Sequence, residues 1–213
     1  MMNIVVIDYG VGNVKSIINA LKFNGVNALL SNKEKDIINA SGIILPGVGA
    51  YSKAMENLNK LNLVDIITKY SKTNRPILGI CLGMQMLMES SEEFGITKGL
   101  GLIKGNVKKF TFDASPRMKL PHISWSNLEP DVLNWNNTIL DGLNSENNFY
   151  FVHSYVVIPT NKLEILSLSS YCNQIFCSAI KKDNIYGCQF HPEKSASSGL
   201  KIINNFVNIC NKI

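Results

Sequence analysis

Four short apolar runs set the strongest limit on how this chain can fold: Asn3–Ile7, Val26–Leu30, Gly42–Leu45 and Pro76–Ile80. A strand wetted on one side alternates apolar and polar residues, whereas an unbroken apolar run suits a strand covered on both faces. Helical spacing fills the gaps between the runs. Val14, Ile17, Ile18 and Leu21 recur at i, i+3, i+4 and i+7 before Gly25, a helix stop. Ala54, Met55 and Leu58, then Leu63, Ile66, Ile67 and Tyr70, mark two further amphipathic helices. This alternation predicts an α/β fold with an open, mostly parallel sheet flanked by helices.

Beyond about residue 100 the period changes to that of strands joined by short polar links. Strands are expected at Asn106–Phe112, His122–Leu128, Phe149–Ile158, Glu164–Ser169, Ile175–Ile180 and Ile185–Phe190, an antiparallel β extension of the first half. Lys182-Asp183-Asn184 predicts a hairpin turn between the last two. A final helix from near Ser198 should turn Leu200, Ile203, Phe206, Val207 and Cys210 inward. Without a linker or repeat, residues 1–213 read as a single domain.

Composition narrows the class. Hydrophobic residues at 46% against 17% charged residues exclude a disordered chain. No apolar run approaches the ~18 residues of a membrane span, and Met1–Asp8 reads as a first strand and not a signal peptide, so a cytoplasmic protein is expected. The net charge of +5 is scattered, with its densest spots the dipeptides Lys108-Lys109 and Lys181-Lys182, a solvated face and not a nucleic-acid surface. Cys81, Cys172, Cys177, Cys188 and Cys210 include no CxxC pair, so core thiols are expected and a zinc site is not.

Three motifs carry the chemistry. In Gly79-Ile80-Cys81-Leu82-Gly83-Met84-Gln85 a buried strand runs into a helical pattern reaching Glu92, with glycines on either side of Cys81. This is a thiol counterpart of the G-x-S-x-G elbow, which lifts a nucleophile above a sheet at a turn too sharp for flanking side chains. A helix N-terminus there favours thiolate. In Gly187-Cys188-Gln189-Phe190-His191-Pro192-Glu193 the proline ends a strand beside His191, an imidazole able to act as base and acid, with Glu193 near enough to fix its tautomer. Leu45-Pro46-Gly47-Val48-Gly49-Ala50 can turn backbone N–H groups toward an oxyanion, together with that of Leu82, and lacks the Gly-Lys-Ser/Thr ending of a phosphate loop.

Taken together and in this order, the three motifs resemble the class I glutamine amidotransferases over essentially the whole chain, with a flavodoxin-like sheet implied. Asp8–Asn13, Pro121–Trp125 and Tyr150–Tyr155 are similar to the branch serving as glutaminase subunits of imidazole glycerol phosphate synthase, in histidine biosynthesis. The resemblance implies catalytic roles for Cys81, His191 and Glu193 and an oxyanion site at Gly47, Val48, Gly49 and Leu82. It implies glutamine binding by Gln85, Glu93, His153, Ser154 and Tyr155, and no cofactor or metal. The implied partner is a (β/α)8-barrel cyclase subunit in a heterodimer, docking near Asn13, Trp125, Tyr150 and Lys194. Where the family reads PHxGWN, this chain has Ser124 for the glycine and Ser126 for the asparagine. That departure leaves open a paralogous role, ammonia supply for amidino-sugar synthesis.

Overall fold

The computed structural model describes residues 3–111, 119–130 and 133–212. The first half runs β1 (Ile4–Ile7), α1 (Val14–Phe23), β2 (Leu29–Ser31), α2 (Glu34–Ile38), β3 (Gly42–Leu45), α3 (Tyr51–Lys60), α4 (Leu63–Ser71), β4 (Ile77–Ile80) and α5 (Leu82–Met86). The second half adds β5 (Ser90–Ser91), β6 (Thr97–Lys98), β7 (Gly105–Lys109), β8 (His122–Asn127), β9 (Glu129–Pro130), β10 (Asn148–His153) and β11 (Tyr155–Pro159). It closes with β12 (Ile165–Tyr171), β13 (Gln174–Lys182), β14 (Ile185–Cys188) and α6 (Ala196–Asn211).

The main sheet has eight strands in the order β2-β1-β3-β4-β14-β13-β12-β9. Its first five are parallel, in the flavodoxin-like order, and the remainder are antiparallel. Every residue of β1, β3 and β4 is buried, as unbroken apolar runs require. Alternate residues feed separate cores on the two faces. Ile4 and Val6 pack with Ile17 and Leu21 of α1 and Ile203 and Phe206 of α6. Val5 and Ile7 pack with Leu58 of α3 and Ile67 and Tyr70 of α4. Four cysteines are buried and Cys172 is exposed. Among the described residues no helix is long and apolar enough to cross a membrane.

Several expectations shift. The run Phe149–Ile158 is two strands and not one: β10 pairs with β8, β11 pairs with β7 in another sheet, and Ser154 is the break. The helical pattern after Cys81 stops at Met86, because the following residues enter a turn in which Leu102 and Ile103 donate to the Leu87 carbonyl. The second strand begins at Leu29, and the five-residue α2 carries too few turns for a periodic signal. Phe112, at the end of one expected strand, lies outside the described residues. The hairpin stands as expected, with Lys182 paired to Ile185 and Asp183 at φ 51° in the turn.

Candidate active site

Cys81 leaves β4 with φ 54° and ψ −110°, a backbone that L-residues rarely adopt, and enters α5 immediately. Its amide donates to Cys188 O of the neighbouring β14 at 2.8 Å, and Gln85 N donates to its carbonyl at 3.2 Å. Side chains on the flanking glycines would not fit. A Cβ on Gly79 would lie 2.7 Å from the backbone of Gly83, and one on Gly83 would run into the Leu45 carbonyl. The turn therefore presents Cys81 at the carboxyl end of the sheet, where open α/β sheets place ligands.

His191 follows β14 at the same end. Its Nδ1 lies 2.8 Å from Glu193 Oε1, and both side chains are almost fully buried. Strand β10 ties this arm to the elbow: His191 N donates to Tyr150 O at 2.9 Å, and the Cys81 thiol points at Val152 O at 3.9 Å, two residues along. Burial alone would lower the His191 pKa. The neighbouring Cys81 and Glu193 favour the imidazolium more strongly and push it up to about 9. Its Nε2 is buried beside the cavity that Cys81 also lines.

That cavity, about 250 Å³, is lined by Val48, Gly49, Cys81, Leu82, Gln85, Glu93, His153, Ser154, Tyr155 and His191 among others. It gathers most of the residues singled out in the sequence. Glu193 stands behind His191 and outside the lining, as does Gly47, which lies buried under the loop, where a Cβ would meet Gly83 N and Leu82 Cβ at 2.8 Å. Tyr9 anchors this loop from below, its hydroxyl donating to Pro46 O at 2.6 Å. Glu93 Oε2 accepts from Tyr51 N at 2.6 Å, fixing the start of α3 just beyond the loop.

Gln85 is almost fully buried, and its Nε2 donates to Tyr155 O at 3.1 Å and Gln189 Oε1 at 3.0 Å. Gln189, fully buried, in turn donates from Nε2 to Cys81 Sγ at 3.7 Å. Sequence reasoning missed Gln189 as a neighbour of the sulfur; its position two residues before His191 was the available signal. Of the residues expected at a partner surface, Trp125 and Tyr150 face each other across β8 and β10 with ring centroids 6.0 Å apart, and Lys194 Nζ sits 5.7 Å from the Tyr150 ring. Asn13 caps α1, which packs against the Pro192–Lys194 turn.

A thiol held at a strained turn, a buried imidazole carrying its own carboxylate, and a cavity between them suit attack on a carbonyl. The family model described as glutamine amidotransferase class-I matches residues 5–210. The imidazole glycerol phosphate synthase subunit HisH 2 of Methanococcus maripaludis is 46% identical over 205 residues, covering 96% of this chain and 98% of the relative. A HisH 2 subunit of Pseudomonas aeruginosa is 43% identical, with 97% and 99% covered. A solved structure titled as a glutamine amidotransferase superposes with a TM-score of 0.74 at 17% identity, covering 97% of this chain and 98% of the other, a likeness of fold. With the family match spanning nearly all of the chain and these relatives aligned almost end to end, the chain belongs to the class I glutamine amidotransferases.

Proposed function

We propose that this glutamine amidotransferase is the glutaminase subunit of an imidazole glycerol phosphate synthase, with Cys81 as nucleophile. The observation carrying the chemistry is the shared cavity: Cys81 and His191, 110 positions apart in sequence, are bonded to neighbouring residues of one strand and line one pocket. The full-length HisH relatives support the pathway.

In this reading the Cys81 thiolate attacks the δ-carboxamide carbon of glutamine, and backbone N–H groups of the Val48 loop and Leu82 receive the oxyanion. Each well-aimed donor contributes roughly 3–4 kcal/mol to such a step. The His191 imidazolium gives its proton to the departing nitrogen, the C–N bond breaks, and ammonia leaves a glutamyl thioester. Neutral His191 then takes a proton from water; the hydroxide displaces the thiolate, releasing glutamate and restoring the starting ion pair. Glu193 keeps Nδ1 protonated, so that Nε2 faces the reacting atoms. Gln85, Glu93 and the backbone of His153, Ser154 and Tyr155 bind the amino-acid end of the substrate.

Ammonia is the useful product and must reach its acceptor without meeting water. A (β/α)8-barrel cyclase is the proposed partner, seated on the outward face of β8 and β10. There Ile123 (57% exposed) and Trp125 (51%) lie open next to Tyr150 and Lys194. Ser124 and Ser126 lie on the same strand and keep amidino-sugar synthesis as a second reading of the acceptor. One experiment tests both. Glutamate release is measured with a purified cyclase, with and without the imidazole ribotide acceptor, for the parent and for Cys81→Ala. Stimulation by cyclase and acceptor, with no turnover in Cys81→Ala, is expected. Stimulation only by a sugar-pathway synthase would move the acceptor, and turnover in Cys81→Ala would overturn the mechanism.

A further inference from the structure

The face of β8 opposite Ile123 and Trp125 carries a polar row, a buried His122 packed among aromatic rings followed by the half-buried Ser124 and Ser126. His122 is fully buried and lies nearly parallel between the rings of Tyr171 and Phe151, with centroids 4.1 and 5.2 Å away. Its Nδ1 lies 3.0 Å from His153 Nε2. Its Nε2 lies 2.7 Å from Ser124 Oγ and 3.3 Å from Ser126 Oγ. His153 Nδ1 stands 3.0 Å from Tyr155 O. That same carbonyl accepts from Gln85 Nε2.

These contacts permit one direction only. A carbonyl oxygen cannot donate, so His153 carries its proton on Nδ1. Burial pushes His122 down to about 4 and His153 down to about 3, the latter also through His122, so both rings are neutral near pH 7. Neutral His153 therefore accepts at Nε2, His122 donates from Nδ1, and His122 Nε2 accepts from the serine hydroxyls. The run is Ser124 and Ser126 to His122, to His153, to the Tyr155 carbonyl in the wall of the substrate cavity.

We propose that Ser124 and Ser126 are positioning residues for glutamine hydrolysis, acting through His122 and His153 to hold the Tyr155 carbonyl and the cavity wall it shares with Gln85. The proposal rests on the glutaminase reading and deepens it. Without the hydroxyls, His122 Nε2 loses both serine donors, and the ring loses the contacts that hold its Nδ1–H on His153. Ile123 and Trp125, the exposed residues of the same strand, alternate with the serines, so the face proposed for the partner and the polar row share one backbone.

The test reads imidazole 15N–1H correlations, which distinguish the two neutral tautomers. With 3 histidines in the chain, His191→Asn and His122→Asn comparisons complete the assignment. The parent is expected to show His122 and His153 both as Nδ1–H forms at pH 7. In Ser124→Ala/Ser126→Ala the His122 Nδ1–H proton should exchange faster with water and the KM for glutamine, measured with the cyclase partner, rise about tenfold, with kcat changed less than about twofold. Ser124→Thr, which keeps a hydroxyl, should restore both readouts. An Nε2–H form of either ring in the parent, or an unchanged exchange rate of the His122 Nδ1–H proton in the double variant, overturns the proposal. Faster exchange with an unmoved KM overturns it as well. If the parent shows the expected tautomers but hydrolyses no glutamine with any cyclase, the polar row stands and the glutaminase reading falls.

Discussion

His191 and the pair His122 and His153 sit within one small region and titrate in opposite directions. The His191 pKa is raised to about 9, so between about 6.5 and 9 the folded chain binds more protons there than the unfolded chain. Its contribution to stability is complete below pH 6.5 and is lost as pH rises through 9. The buried neutral pair lies at about 4 and about 3, so the unfolded chain binds more protons below 6.5 and stability falls as pH drops toward 4. Urea midpoints measured across this range should therefore peak near pH 6–7. His191→Asn should flatten the alkaline side only. Activity that needs the imidazolium should decline as pH passes 9, read from kcat over the same series. At the elbow, Gly83→Ala forces a Cβ into the Leu45 carbonyl and should cost roughly 3 kcal/mol, seen as a lowered denaturation midpoint. Cys81, His191 and the two glycines were legible because their chemistry lies in adjacent letters. Gln189 and the His122–His153 contact were not, since neither follows a period and each depends on a distant strand.

At the scale of elements, the loop after β3 owes its shape to a neighbour. The Tyr9 hydroxyl donates to Pro46 O, and Tyr9 itself is buried after β1. Tyr9→Phe leaves that carbonyl without its partner and should lower stability by about 1–2 kcal/mol, measured by chemical denaturation. The same change should reduce glutamine turnover by loosening the Val48 backbone. Parallel strands were readable as apolar runs because helices cover both faces. The break at Ser154 was hidden because the residues on either side are equally suited to strands. The helix after Cys81 was over-read because Met86, Leu87 and Met88 are buried through contacts with the second half and not through helical periodicity.

At the scale of the molecule, the five parallel strands bring the Val48 loop, Cys81 and His191 to the carboxyl end of the sheet, while the smaller sheets supply the cavity wall. On the proposed docking, Trp125→Ala should weaken cyclase binding by about 2 kcal/mol, measured by calorimetric titration, and leave the thermal midpoint within a degree or so. The exposed half of the Trp125 ring motivates that separation between affinity and stability. The overall α/β layout was legible from the first half of the chain alone. The division of the second half among three sheets was not, because strand order across long separations leaves no local trace.

Ser154 stands at a seam between two independently braced ribbons, β10 with β8 and β11 with β7, while the sulfur is riveted to the broad central sheet. On the proposed function, a tug on the β11 ribbon reaches the grip on the amino-acid end, whereas a tug on β10 also reaches His191. Only the second ribbon hangs clear of the sulfur and the imidazole, so grasp can be tuned from that side without retuning scission.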